Sequence, residues 1–134
     1  MAAKKLKTKQ EEKSAARDFL KKAEDNYLAM LGALQNQNYN AAGTLALQCA
    51  ISSADAICVQ EKGIRSISSD HLDVCELVSA ITLPEAKEKA NLLKRIIAKK
   101  NLIQYERRNI FQQEAEEIVK YSSRFYQWVA SSIK

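Results

Sequence analysis

Glycine and proline are scarce in this sequence, with three glycines and one proline among 134 residues. Turn-rich all-β folds need many of both, so their scarcity argues against that class and favours long, uninterrupted helices. Histidine occurs only once, which excludes a metal site built from several imidazoles. The sequence also contains no glycine-rich phosphate-binding loop. We therefore expect a helical protein with no bound metal and no cofactor.

Cysteine is rare as well. The three cysteines, Cys49, Cys58 and Cys75, are odd in number and follow no metal-binding spacing. Each falls among apolar residues, so we interpret them as buried free thiols, which fit a reducing compartment. Residues 1–5 carry charge without an apolar core behind them, and no apolar run approaches the roughly 20 residues that span a bilayer. These features predict a cytoplasmic protein with no membrane partner.

The net charge of +5 is concentrated at the amino terminus. Residues 1–13 contain five lysines and two glutamates, so they account for three of the five net positive charges. Few large apolar residues accompany them, which predicts a disordered basic tail with weak, salt-sensitive attraction to nucleic acid at most. Residues 14–134 have the length of a single domain.

Apolar residues recur at steps of three and four in five segments, which predicts five helices. These run from about 14 to 36, 40 to 62, 69 to 81, 82 to 100, and from 110 onwards. Small residues such as Ala46 and Ala56 dominate the second segment, which predicts a central helix approached closely by its neighbours. Gly63 is a natural left-handed stop for that helix. The predicted fold class is all-α, an antiparallel bundle of four to five helices joined by short connections.

Helix-capping residues mark three of the predicted starts. Ser69 or Asp70 is suited to cap the third helix. Thr82 with Glu85, three residues later, resembles a capping box for the fourth helix. A second box is predicted where Gln112 follows Asn109, ahead of the fifth helix.

His71 is the only imidazole, and Arg65 lies six positions before it. The functional interpretation is a general base with an arginine that stabilises charge on a phosphate. The structural interpretation is a first-turn histidine that packs or caps near a loop. The residues by themselves favour the structural interpretation, because no second acid or base accompanies His71.

A basic stretch near the carboxyl-terminal half is the densest charge outside the tail. It consists of Lys94, Arg95, Lys99, Lys100, Arg107 and Arg108. One interpretation is an RNA-binding face on which Tyr105 and Tyr121 stack against bases. The other, which we favour from composition, is a solvated face whose charges are balanced by Glu88, Glu106 and Glu114.

Two regions, 50–78 and 99–128, carry a resemblance to a known family. The first contains the step Ala54-Asp55-Ala56, then Gly63, Arg65-Ser66 and Asp70-His71. The second has a tyrosine–acid step followed by a helix of alanine, glutamate and aromatic residues. In this order, the features resemble the HEPN family of helical bundles. The resemblance implies a homodimer of four- or five-helix bundles, associated with RNA cleavage, RNA binding or a nucleotidyltransferase partner.

Active ribonucleases of that family carry arginine, four to six residues, and then histidine near the final helical pair. The matching place here holds Lys100 and Tyr105, whose side chains titrate at about 10 when unperturbed and are poor bases at neutral pH. Arg65 and His71 have the family's spacing but lie in a different loop.

We therefore predict a non-catalytic, dimeric binding module for RNA, a nucleotide or a protein partner such as a nucleotidyltransferase. One alternative is a metal-independent endoribonuclease of toxin type that uses Arg65 and His71, or Lys100 and Tyr105. A further alternative is a helical adaptor with no nucleic-acid role.

Overall fold

Helices dominate the computed structural model, which describes residues 6–133. In chain order the elements are β1 (Thr8–Gln10), a 3-10 turn (Lys13–Ala15), α1 (Ala16–Gln35), α2 (Tyr39–Lys62), β2 (Ile64–Ser66), α3 (Leu72–Ser79), α4 (Ala86–Ile97), α5 (Lys100–Gln104) and α6 (Gln112–Ser132). Five helices of that described part span eight residues or more. The predicted all-α class is confirmed.

Helix α2 lies at the centre of the bundle, as its small residues predicted. Half of its 24 residues are buried, and it packs along both α1 and α6. Ala46 is fully buried, and its carbonyl accepts a hydrogen bond of 2.8 Å from Ser122 Oγ on α6. Such a short link is possible because alanine lets the two helix backbones approach each other closely.

Helix α2 also has the length and mean hydropathy of a membrane-spanning segment, which was not expected from the sequence. Within the bundle, 67% of its most apolar 18-residue window is buried. Packing against the other helices therefore accounts for its apolar character.

Gly63 ends α2 in the predicted left-handed conformation, with φ of 66°. Its N–H donates to the Val59 carbonyl at 2.9 Å, which satisfies one of the last free carbonyls of the helix. The chain then reverses directly into β2. This abrupt turn fixes where Arg65 emerges from the end of α2.

The first strand differs from the disordered tail predicted for residues 1–13. β1 pairs antiparallel with β2, with Thr8 opposite Ser66 and Gln10 opposite Ile64. The pairing continues beyond the strands, where Glu11 N–H donates to the Gly63 carbonyl at 2.9 Å. A three-residue strand beside a bundle has unpaired backbone groups, and residues 8–10 satisfy them. The prediction for residues 1–5 lies outside the described residues.

Of the three predicted helix caps, one forms in the structure and two do not. Asp70 acts as predicted, because its Oδ1 accepts from Leu72 N–H at 3.0 Å. The box at Thr82 does not form, since Glu85 adopts a left-handed conformation with φ of 70° and α4 begins only at Ala86. Helix α4 then ends at Ile97, short of the predicted residue 100, because the chain turns into the separate α5.

Helix α6 begins two residues later than the box at Asn109 predicted. Glu114 instead reaches back, and its Oε1 accepts from Phe111 N–H at 2.9 Å. Asn109 is used elsewhere, where its Oδ1 accepts from Asn40 Nδ2 at 3.1 Å. This contact ties the start of α6 to the start of α2.

Candidate functional site

The basic stretch of residues 94–108 does not form one face. Arg95 faces α6, Lys99 lies beside Glu114, and Lys100 borders the hollow that contains His71. The break between α4 and α5 causes this dispersal, because residues 99 and 100 no longer continue the helical periodicity of α4.

A groove of about 300 Å³ between α4 and α6 brings three cations together. We call it the α4–α6 groove, and its lining includes Glu88, Lys89, Leu92, Arg95, Tyr121 and Arg124. Lys89, Leu92 and Arg95 recur at steps of three on α4, and Tyr121 and Arg124 are three apart on α6, so each set shares one helix face. Three cations and an aromatic side chain thus face a single acid.

The cations of the α4–α6 groove have no acidic partner in the part of the chain that the structure describes. In residues 6–133 no carboxylate lies within 4 Å of the charged nitrogens of Lys89, Arg95 or Arg124. Arg95 and Arg124 are exposed, whereas Tyr121 is half-buried. The groove can therefore hold an anion beside a flat ring.

Arg108 is held in a different way, at a site that we call the Arg108 corner, formed with Phe111 and Glu114. Two hydrogen bonds of 2.8 and 2.6 Å join its guanidinium to the Glu114 carboxylate. The guanidinium also lies 4.5 Å from the Phe111 ring centroid. The hydrogen bond from Arg108, together with that from Phe111 N–H, lowers the pKa of Glu114 to about 2. Arg108 is thus engaged in holding the start of α6.

His71 shares a hollow of about 340 Å³ with Lys100 and Asn101. Burial lowers the pKa of His71, and the positive charge of Lys100 adds to that effect. The imidazole is therefore neutral at pH 7 and beside a cation. The sequence had paired His71 with Arg65 and Lys100 with Tyr105, and the structure brings His71 and Lys100 together instead.

Arg65 and Tyr105 lie apart from this hollow. Arg65 Nε is 3.3 Å from Glu11 Oε1, and its guanidinium lies 5.4 Å from the centroid of the Phe19 ring. It therefore anchors the β1 segment to β2. Tyr105 is 71% exposed at the end of α5.

The remaining candidate residues are either exposed on the surface or buried in the core, and none of them lines a hollow described above. Lys94 and Arg107 are exposed. The three cysteines are free and buried, as predicted. Burial raises the pKa of the Cys49 and Cys75 thiols to about 11 and that of Cys58 to about 12, so they stay protonated and unreactive at neutral pH. Within residues 6–133, no group of three potential metal ligands is found.

Lys89 and Arg124 are not among the site residues predicted from the sequence. Both fall on helix faces that were considered only for their apolar stripes. A signal was present, because Arg124 lies three residues after Tyr121 and therefore shares its face. What the sequence did not contain is the pairing of that face with α4.

Comparison with known proteins gives one match. A family model described as the HEPN domain matches residues 16–132. No curated protein and no solved structure shows a significant match. The family match indicates a nucleotide-related or RNase-like role. The homodimer, the nucleotidyltransferase partner and the cytoplasmic location remain predictions.

Proposed function

Because the chain belongs to the HEPN family, we propose that it is a non-catalytic module that binds RNA in the α4–α6 groove. The observation that carries this proposal is the set of three cations in the groove, Lys89, Arg95 and Arg124, which no carboxylate within the described residues pairs. When unpaired surface cations bind the phosphates of a nucleic acid, they displace the counterions condensed on its backbone. The release of these counterions is a main source of affinity for nucleic acid.

Tyr121 extends the proposal from phosphate to nucleotide. It lines the same groove as Arg95 and Arg124. Aromatic side chains beside cations bind single-stranded nucleic acid by stacking on bases, at about 1–3 kcal/mol per base. The groove thus offers groups for both parts of a nucleotide.

We propose that the module is non-catalytic because the groove contains no imidazole to act as a general base. Metal-independent cleavage needs a group that removes the 2′-hydroxyl proton and a cation that stabilises the phosphate charge. The groove has cations, but the single imidazole lies in the other hollow, with Lys100. Tyr105, at the position where active relatives carry histidine, is exposed at the end of α5.

The test is the affinity of a fluorescein-labelled, 20-nucleotide single-stranded RNA, measured by anisotropy across a salt series. The Arg95→Gln/Arg124→Gln double variant should bind at least about 10-fold more weakly. The slope of log affinity against log salt should flatten by about 0.7 for each phosphate that the variant no longer neutralises.

The control is Lys13→Gln/Lys62→Gln, which has the same net charge and alters exposed lysines outside the groove. It should keep nearly full affinity. Equal losses in both double variants would show unspecific attraction to a basic protein. Absence of RNA binding by the unmodified protein would end the proposal.

A second candidate function, a metal-independent endoribonuclease, is favoured by the shared hollow of His71 and Lys100. A neutral imidazole beside a cation is the minimal pair for this chemistry. Labelled RNA incubated in chelator with the unmodified protein, His71→Ala, Lys100→Gln and Tyr105→Phe separates the two candidates. We expect no cleavage by any of them. Cleavage that disappears in His71→Ala and Lys100→Gln would replace the binding proposal with catalysis.

A further inference from the structure

A second polar hollow, of about 530 Å³, lies between α1, α2 and β2, away from the α4–α6 groove. We call it the Asp55 hollow, and the polar residues in its lining are Lys22, Asp25, Asn26, Gln48, Ser52, Asp55 and Arg65. Its volume is in the range of small-molecule sites. Neither the proposed RNA binding nor the family match accounts for it.

Asp55 is the unusual member of this hollow. The residue is half-buried, and no hydrogen-bond donor in the described part of the chain reaches its carboxylate. Burial raises the pKa of Asp55 to about 6, although Arg65 and Lys22 both act to lower it. Among the described residues, the fully buried side-chain polar atom without a partner is Ser53 Oγ, so the half-buried Asp55 carboxylate relies on solvent for its hydrogen bonds. A ligand that carries N–H groups would replace solvent with donors aimed at a carboxylate that accepts none from residues 6–133.

The cations of the hollow are placed to receive an acidic group. Lys22 has no carboxylate within 4 Å among the described residues. The Arg65 side chain uses its Nε to bond Glu11 at 3.3 Å, which leaves its two terminal nitrogens to contact a ligand. Asp25, the second acid in the lining, is already paired, because its Oδ1 lies 2.9 Å from Lys21 Nζ. Lys22 and Arg65 would therefore repel a purely cationic ligand, and a ligand that donates to Asp55 fits best when it also carries a negative charge.

Stacking of a nucleobase is disfavoured here. Phe19, the one aromatic ring among the described lining residues, lies 5.4 Å from the Arg65 guanidinium and 5.9 Å from the Lys22 ammonium. A base would have to displace these cation–π contacts. The hollow is therefore suited to a small, polar molecule rather than to a nucleotide.

We propose that the Asp55 hollow binds a small zwitterion in which a protonated amine lies beside a carboxylate or a phosphate. The amine donates hydrogen bonds to the Asp55 carboxylate and to the oxygens of Ser52 or Gln48. The acidic group is held by Lys22 and Arg65. Free α-amino acids and aminoalkyl phosphates share this chemistry. The proposal is independent of RNA binding in the α4–α6 groove.

Ligand-observed NMR and titration calorimetry on the full chain test the proposal. The probes are the twenty L-amino acids, tested singly, and O-phosphoethanolamine. At least one should bind with a Kd below about 1 mM. Glycine betaine, which keeps both charges but has no N–H donor, should not bind. An amino acid as the better ligand would identify a carboxylate, and O-phosphoethanolamine as the better ligand would identify a phosphate.

Two variants show whether the binding occurs at this hollow. Asp55→Asn and Lys22→Gln should each weaken binding at least about 10-fold, whereas the matched exposed variants Asp18→Asn and Lys62→Gln should not. Lys22 is exposed, so its variant keeps the fold and serves even if Asp55→Asn alters stability. Failure of every probe to bind, or undiminished binding in both hollow variants, would overturn the proposal.

Discussion

The Arg108 corner and the α4–α6 groove both place arginines at or near α6, but only the arginine of the corner is paired with a carboxylate. In the corner, Glu114 binds the Arg108 guanidinium with two hydrogen bonds. In the groove, Arg95 and Arg124 have no carboxylate within 4 Å in the described chain. The density of positive charge along the sequence therefore does not locate a binding surface. The groove that we propose as a binding surface is instead distinguished by cations without a carboxylate partner that lie beside an aromatic ring, Tyr121.

Ala46→Leu should have the largest effect, because both regions depend on α6 lying close to α2. Extra methylenes at this fully buried position force strain, and we expect a loss of about 1–3 kcal/mol in the free energy of unfolding. Urea denaturation measures it. Ala41→Leu, at an exposed position of the same helix, is the matched control and should be nearly neutral. An unchanged midpoint for Ala46→Leu would contradict the close α2–α6 contact.

Asp55→Asn should be the next largest change, in the stabilising direction. Since the folded pKa of Asp55 is raised above its ordinary value of 3.8 to about 6, its ionisation destabilises the fold above pH 6, and protonation relieves this between pH 6 and 4. We expect the variant to gain about 1–2 kcal/mol at pH 7 and nothing at pH 4. Thermal melts at both pH values measure this. An equal gain at pH 4 would exclude ionisation as the cause.

Glu114→Gln should break the Arg108 corner without touching the groove. The variant loses the charged pair of hydrogen bonds with Arg108 and weakens the hydrogen bond from Phe111 N–H. We expect this to lower the free energy of unfolding by about 1 kcal/mol. RNA affinity should stay within about twofold. Because the pKa of Glu114 is lowered, its contribution is present above pH 4.5 and disappears as pH falls toward 2. Glu117→Gln, on the exposed surface of α6, is the control. A large loss of RNA affinity would show that the corner belongs to the binding surface.

Glu88→Gln should have the smallest effect and the opposite sign on binding. It removes the one carboxylate that faces the α4–α6 groove among its described lining residues. Repulsion between this exposed charge and a phosphate backbone is screened by salt, so affinity should rise by about two- to threefold at low salt and hardly at all at about 0.5 M. The same RNA titration measures it, with Glu61→Gln on α2 as control. A decrease in affinity would mean that Glu88 contributes a hydrogen bond to the ligand.

Local chemistry allowed much of the fold to be predicted. The five long helices and the burial of the cysteines follow from the periodicity of apolar residues, and the left-handed stop at Gly63 follows from the freedom of glycine. β1 was missed because its residues carry no strand pattern of their own. They become ordered only through pairing with β2, which lies more than fifty residues later.

The candidate sites, like the fold, could be predicted from the sequence only in part. The sequence by itself determined which residues can carry charge, stack or titrate, and which helix face each occupies, because helical periodicity is a local property. It did not determine which faces meet. Packing of α4 against α6 made a groove of Arg95, Tyr121 and Arg124, and the turn after Ile97 brought Lys100 to His71. These contacts depend on how distant segments bury their apolar surfaces together, so only the tertiary structure decided which charges are neutralised and which remain free to bind.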